Sequence, residues 1–330
     1  MSLKGMKILG TGSYLPPNCV TNDDLAKTID TTDEWIRTRT GIETRYIADE
    51  TMPTSEIAAG AAEAAIKAAG ISPDDIDLII VATLSPDQTF PNTACHVQRR
   101  IGANPKAMCF SMEAACTGFV YALETATAMV RSGYHKTALI IGAEKMSSLV
   151  DWTDRSTCVL FGDGAGAMIL QATDEPQCAL IASTMHANGK HTDILQVPAG
   201  GTRLPLTPEL ILEKKNCITM EGQQVFKLAV TSMVKACKKV LKEAGLTIDD
   251  LTWLVPHQAN KRIIAAVGKG LGIETEKVFI NVNKYANTSS ATVPIALDEI
   301  AKGGLVNSGD YVLCVAFGGG LTWGASLLKW

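Results

Sequence analysis

The segment Lys67-Ala68-Ala69-Gly70-Ile71-Ser72-Pro73-Asp74-Asp75-Ile76-Asp77-Leu78-Ile79-Ile80 returns 175 residues later as Lys242-Glu243-Ala244-Gly245-Leu246-Thr247-Ile248-Asp249-Asp250-Leu251-Thr252-Trp253-Leu254-Val255. Both copies read as the end of a helix, a glycine stop, a short acidic turn and a buried strand. Two further pairs keep the order. Ile101-Gly102 is answered by Leu271-Gly272 at an offset of 170, and Ser132-Gly133 before Ala138-Leu139-Ile140-Ile141 by Ser308-Gly309 before Val312-Leu313-Cys314-Val315 at 176. Three echoes in one order read as a duplicated α/β unit, which restricts the fold to two similar halves. The expected division is 1–175 and 176–330.

The strands predicted at Leu78 to Ala82 and Leu139 to Gly142 are continuously apolar, as a sheet covered on both faces requires. Helices are predicted at Ile57 to Ala69 and Gln223 to Ala244. The second carries Phe226, Val230, Met233, Cys237 and Leu241 at a spacing that gives one buried stripe. A chain of 330 residues with 46% hydrophobic content can bury a large core. A net charge of −4 with 5% aromatics lacks the basic stripe of a nucleic-acid binder. No signal peptide and no run of roughly 18 apolar residues is found, so the expectation is a cytoplasmic protein with no membrane partner. Met1-Ser2-Leu3 reads as a cloning remnant.

Nine cysteines (Cys19, Cys95, Cys109, Cys116, Cys158, Cys178, Cys217, Cys237 and Cys314) include no C-x-x-C pair. Neither a zinc site nor a disulfide framework is indicated. Most sit in apolar runs and read as small core residues. Cys116 differs. In Ser111-Met112-Glu113-Ala114-Ala115-Cys116-Thr117-Gly118-Phe119 the thiol stands where an amphipathic helix begins, and the unpaired N–H groups of that first turn favour a thiolate. Gly118 removes a side chain where a substrate or another backbone would approach.

Three more segments place polar or glycine residues just after short β-prone runs: Trp253-Leu254-Val255-Pro256-His257-Gln258-Ala259-Asn260, Tyr285-Ala286-Asn287-Thr288-Ser289-Ser290-Ala291-Thr292-Val293-Pro294, and Ala316-Phe317-Gly318-Gly319-Gly320. With the Cys116 segment, and with the opening Gly10-Thr11-Gly12-Ser13-Tyr14-Leu15-Pro16, they closely resemble β-ketoacyl-acyl carrier protein synthase III, the initiating condensing enzyme of bacterial fatty acid synthesis in the thiolase superfamily. The resemblance implies the thiolase-like fold, two α/β halves in a layered α-β-α-β-α arrangement. Cys116 plus the local offset of about 171 lands on Asn287, so the two would occupy equivalent points of the halves.

The resemblance also implies a chemistry. The Cys116 thiolate takes the acyl group from an acyl-CoA, with the N–H groups of Cys116 and Gly319 holding the tetrahedral oxyanion. Malonyl-acyl carrier protein then loses CO2. Its enolate, held by His257 Nε2–H and the Asn287 amide, attacks the acyl-Cys116. Elongating relatives carry a second His at the Asn287 position, so Cys-His-Asn points to the initiating or polyketide-type branch, and the length fits the former better. Coenzyme A thioester and the phosphopantetheinylated carrier protein are substrates, and neither a metal nor another cofactor is expected. In the family, Trp and Arg at the Trp35 and Arg155 positions sandwich the coenzyme A adenine, with Thr31 and Arg39 beside them. Phe90, Phe161 and Phe317 match positions lining the acyl pocket. Phe90 would come from a partner subunit, which implies a homodimer.

Arg262 and Lys269, seven apart on a helix predicted to begin near Asn260, share one face about 10 Å apart. Such a face suits an acidic acyl carrier protein. Gln258, Ala259, Asn260, Lys261 and Lys227 join it in the expected dock. The remaining histidines, His96, His135, His186 and His191, read as surface or structural. Gly162-Asp163-Gly164-Ala165-Gly166 imitates a phosphate loop but leads into a strand-like run, not a helix. Asn287-Thr288-Ser289 matches a glycosylation acceptor with no sign of secretion. Two rival readings remain: a relative diverted to secondary metabolism with another acyl starter, and a non-catalytic partner subunit, against which the nucleophile argues.

Overall fold

The computed structural model describes residues 3–330, so the remnant read at Met1 and Ser2 lies outside the described residues. The first sheet uses β1 (Gly5–Tyr14), β2 (Leu78–Ala82), β3 (Met108–Met112), β4 (Thr137–Glu144) and β5 (Gly164–Thr173) in the order β1-β5-β4-β2-β3. Strands β4, β2 and β3 run parallel, while β5 is antiparallel to both β4 and β1. The second sheet uses β6 (Leu180–Ala187), β7 (Leu251–Pro256), β8 (Tyr311–Gly318) and β9 (Thr322–Lys329) in the order β6-β9-β8-β7. Its directions repeat the first: β7 and β8 are parallel, and β9 is antiparallel to β8 and β6. Where a fifth strand would complete the match there is one isolated parallel bridge, Leu254 to Val278.

Seven helices organise the site: α1 (Asp33–Thr40), α2 (Thr54–Ala69), α3 (Thr93–Ile101), α4 (Gly118–Arg131), α5 (Gly222–Ala244), α6 (Lys261–Leu271) and α7 (Thr292–Lys302). Helices α4 and α7 touch strands of both sheets and form the middle layer. Helices α2 and α3 cover the outer face of the first sheet, and α5 and α6 that of the second. The result is the expected five-layer thiolase-like arrangement. Strand β2 shows why its sequence is apolar throughout. Leu78, Ile80 and Ala82 pack into the core between the sheets, whereas Ile79 and Val81 pack under α2 and α3. Each such Leu, Ile or Val contributes about 1.5–3 kcal/mol by leaving water.

The glycines that carried the repeat stand in matching backbone states. Gly70 and Gly245 end α2 and α5 at φ 66° and 69°, Gly102 and Gly272 end α3 and α6 at 65° and 74°, and Gly133 and Gly309 turn at 83° and 97°. A side chain at positive φ is strained, so both halves need glycine at the same corners. Close approach explains another pair. A Cβ on Gly142 would lie 2.4 Å from the Ser290 carbonyl oxygen, and one on Gly166 would lie 2.6 Å from the Ile295 nitrogen. These two bare strand positions let the segment that starts α7 sink onto the first sheet, and that segment carries Asn287.

Candidate active site

Cys116 lies in the 3-10 turn Ala115–Thr117 that leads into α4, and Asn287 lies just before the turn Ser289–Ala291 that leads into α7. The two turns touch at the centre of the molecule. Each contains a non-glycine residue at positive φ, Ala115 at 46° and Ser289 at 50°. Such residues cost of order 1–3 kcal/mol and persist only where their surroundings force them. Here Thr322 Oγ1 donates to the Ala114 carbonyl at 3.1 Å and lies 2.9 Å from Thr117 Oγ1, clamping the Cys116 turn to β9.

Burial pushes the Cys116 thiol up to about 12; the Ser289 hydroxyl pulls the other way, and Glu144 and Glu113 add to the rise. The sequence argument from the helix N-terminus favoured a thiolate. The structure instead buries the sulfur near two carboxylates, Glu144 and Glu113, and both burial and those charges favour the thiol over the thiolate. Glu144 is fully buried, and burial pushes its carboxyl up to about 6 against the donors that hold it. Those donors are Ser85 Oγ at 2.6 Å, Ser290 Oγ at 2.8 Å and the Leu84 N–H at 3.2 Å.

His257 follows β7, and its backbone N–H donates to the Val315 carbonyl at 2.7 Å. Burial pushes the imidazole down to about 3, so it is neutral at physiological pH. Its Nδ1 lies 2.6 Å from Thr292 Oγ1. Asn287 Oδ1 accepts the Ser289 N–H at 2.8 Å, which leaves the side-chain NH2 as its free donor.

One cavity of about 1100 Å³ is lined by Cys116, His257, Asn287 and Gly319, with Phe161, Phe317, Leu84, Met146, Leu195 and Ile218 as its apolar wall. Trp35, Arg39, Ala259, Asn260 and Arg262 line it as well. Gly318 lies against the Cys116 turn: a Cβ there would be 2.7 Å from the Cys116 nitrogen. The Arg39 and Arg155 guanidinium carbons stand 4.5 Å and 5.1 Å from the Trp35 ring centre, and Arg155 Nη1 donates to the Asp30 carbonyl at 2.8 Å. Thr31 is half-buried beside Asp30. Phe90 is 82% exposed and does not line this cavity. Helix α6 begins at Lys261 as predicted, with Arg262, Lys269 and, on α5, Lys227 exposed.

Gln258 requires a correction, because it cannot meet a carrier protein. It is 1% exposed; its NH2 donates to the Pro256 and Phe279 carbonyls, and its Oε1 accepts the N–H groups of Asn281 and Val282. It braces the loop after His257. Asn260 is likewise occupied, capping α6 through Arg262 N–H and donating to the Arg39 carbonyl. Lys261 stands in a small polar cleft with Asp33, Glu34 and Glu43. His96 lies on α3, while His186 stacks on Trp323 and its ring meets Thr184. Asp163 of the false phosphate loop is a structural clamp, accepting from the Ala48 and Ser147 N–H groups. Sequence reasoning missed Glu144, Ser290 and Thr292. The run of hydroxyl residues after Asn287 was the one available signal, and Glu144 ends an apolar strand with none.

Two family models match the chain: 3-oxoacyl-[acyl-carrier-protein (ACP)] synthase III over residues 110–189, and the C-terminal region of the same synthase over residues 241–330. A beta-ketoacyl-[acyl-carrier-protein] synthase III of Caldanaerobacter subterraneus is 49% identical over 98% of this chain and 97% of its own length. One of Clostridium acetobutylicum is 48% identical over 99% of each. The crystal structure of the Aquifex aeolicus 3-oxoacyl-[acyl-carrier-protein] synthase III superposes with a TM-score of 0.91 at 48% identity, covering 99% of this chain and all of that one. A thiol, an imidazole and an amide that share one cavity at the junction of two duplicated halves thus come with full-length likeness, and the chain belongs to the beta-ketoacyl-[acyl-carrier-protein] synthase III family of condensing acyltransferases.

Proposed function

We propose that this enzyme initiates fatty acid synthesis by decarboxylative Claisen condensation of a short acyl-CoA, acetyl-CoA first among them, with malonyl-acyl carrier protein. The products are 3-oxoacyl-acyl carrier protein, coenzyme A and CO2. The carrying observation is the convergence of Cys116, His257, Asn287 and Gly319 on one cavity. In the first half-reaction the Cys116 sulfur forms a bond to the thioester carbonyl carbon. The oxyanion sits on the Cys116 and Gly319 N–H groups, the bond to the coenzyme A sulfur breaks, and that sulfur leaves with the thiol proton. In the second, the malonyl C–C bond breaks, CO2 departs, and the electron pair passes to the thioester oxygen. The His257 and Asn287 donors hold the resulting enolate. Its carbon attacks the acyl-Cys116, and Cys116 leaves and regains a proton. A neutral imidazole suits a donor's role better than a base's.

Coenzyme A is read as entering past Trp35 with Thr31, Arg39 and Arg155 about its nucleotide. An adenine between Trp35 and Arg155 needs two stacking distances, roughly 7 Å. At 5.1 Å Arg155 must therefore withdraw to admit it. Phe161 and Phe317 bound the acyl end. Arg262, Lys269 and Lys227 supply the cationic surface for an acidic carrier protein, with Lys261, Ala259 and Asn260 at its margin. Exposed Phe90 and the free edge of β3 fit a homodimer in which Phe90 reaches the partner's pocket. The halves divide near residue 175, between β5 and β6. Among the described residues no helix is long and apolar enough to cross a membrane, and a cytoplasmic location is proposed. The test is mass spectrometry of Cys116 after incubation with a panel of acyl-CoAs. Stoichiometric acyl adduct on Cys116 with acetyl-CoA is expected and should vanish in Cys116→Ala. Adduct retained elsewhere in that variant would overturn the assignment.

A further inference from the structure

Thr292 is the first residue of α7, is 2% exposed, and meets the His257 ring at Nδ1. Its single hydroxyl proton has two acceptors within reach: His257 Nδ1 at 2.6 Å and the Ser289 carbonyl at 3.0 Å. The choice fixes the imidazole. If the proton points at Ser289, Thr292 Oγ1 must accept from Nδ1–H, and a neutral ring then leaves Nε2 bare. If it points at Nδ1, the ring proton resides on Nε2. The second arrangement fits the site: the Ser289 carbonyl already has one donor in the Thr292 backbone N–H, and only a ring protonated on Nε2 can supply the donor that the enolate requires.

We propose that Thr292 is a positioning residue that donates to His257 Nδ1 and so holds His257 as the Nε2–H tautomer, the form that can donate to the enolate oxygen. The proposal rests on the reading of His257 as a donor in decarboxylation. The ring is neutral, so one proton serves both nitrogens and the far bond determines what the near nitrogen can do. The same six residues, Asn287–Thr292, therefore orient both donors: Ser289 N–H turns the Asn287 amide, and Thr292 sets the imidazole.

The experiment compares wild type, Thr292→Val, Thr292→Ser and His257→Ala in three measurements: acyl loading of Cys116, malonyl decarboxylation, and 15N NMR of the ring nitrogens. Expected in the wild type is a pyridine-like Nδ1 and a protonated Nε2. Thr292→Val, nearly the same shape without the donor, should lose ten- to a hundredfold in kcat for decarboxylation, by analogy with other partners that orient a histidine. Its KM and its loading rate should stay within about twofold, and Thr292→Ser should restore most of the loss. A wild-type spectrum with Nδ1 protonated overturns the proposal without needing any variant to fold. So does full decarboxylation in Thr292→Val. Full decarboxylation in His257→Ala instead overturns the underlying reading of His257, which distinguishes the two failures.

Discussion

Replacing Gly318 by alanine places a methyl group where the structure has no room. The new Cβ would lie 2.7 Å from the Cys116 nitrogen, 3.1 Å from Ala115 Cβ and 3.2 Å from the Thr117 nitrogen. Carbon in van der Waals contact stands about 3.5 Å from its neighbour, so the closest pair is short by roughly 0.8 Å. Two of the three neighbours are backbone atoms, which have no rotamer to escape into. Either β8 or the Ala115–Thr117 turn must move by a comparable amount. Overpacking of this kind costs about 1–3 kcal/mol. At about 2.1 cal/mol/K per residue, a chain of 330 residues should lose roughly 1–4 °C in Tm. A shift approaching 1 Å at a reacting group costs on the order of a hundredfold in rate. The expected outcome is therefore a protein that still folds but acylates Cys116 about a hundredfold more slowly from acetyl-CoA, followed by mass spectrometry in a time course beside a thermal melt. Gly70→Ala is the control. Its Cβ meets nothing within 4 Å, but its φ of +66° costs about 1 kcal/mol, so stability should fall with loading unchanged. Loading within threefold of wild type in Gly318→Ala would refute the packing argument. An equal loss in Gly70→Ala would show that rate follows stability, not geometry.

His257→Ala and Asn287→Ala should each lose about a hundredfold or more in malonyl decarboxylation while loading falls much less, because their donors are proposed to hold the enolate; equal loss in both steps counts against that division. Arg262→Glu and Lys269→Glu should lower kcat/KM for malonyl-acyl carrier protein while sparing Cys116 loading. The difference should shrink at high salt, where exposed charges are screened. A third outcome concerns pH. His257 stays neutral in the fold down to about 3 but takes a proton near 6.5 when unfolded, so its contribution makes stability fall as pH drops below 6.5. Glu144, raised to about 6 from 4.5, binds its proton earlier in the fold than out of it and offsets this loss between 6 and 4.5. Each pKa unit is worth about 1.4 kcal/mol. Between pH 7 and 5 the stability of wild type relative to Glu144→Gln, measured by urea unfolding, should therefore rise by roughly 1–2 kcal/mol, and a constant difference would count against a buried ionised Glu144.

The duplication could be read because its marks are backbone marks. A helix that must end in a left-handed residue writes glycine into the sequence, and the pairs Gly70 and Gly245, Gly102 and Gly272, and Gly133 and Gly309 share positive φ. The missing fifth strand of the second sheet left no such mark. One bridge at Val278 is a matter of distance between two segments, and an apolar residue is suitable whether or not a ladder forms around it. The site divides in the same way. Cys116 and Asn287, which the fold brings to one cavity and which are proposed to be catalytic, could be singled out because each is a polar side chain shortly before a central helix, in equivalent places of two copies. Gln258 was misassigned because sequence neighbourhood says nothing of direction. It is next to His257 in the chain, yet its amide spends every donor and acceptor inside the protein. Glu144 and Thr292 show the converse. One comes from the first half and one from the second, and each gains its meaning only where the turns of α4 and α7 meet. A local pattern can mark a residue that reacts, because chemistry demands a particular side chain. It marks much less well a residue that orients another across the junction, where a serine, a threonine or a backbone amide could do the same work from several places in the chain.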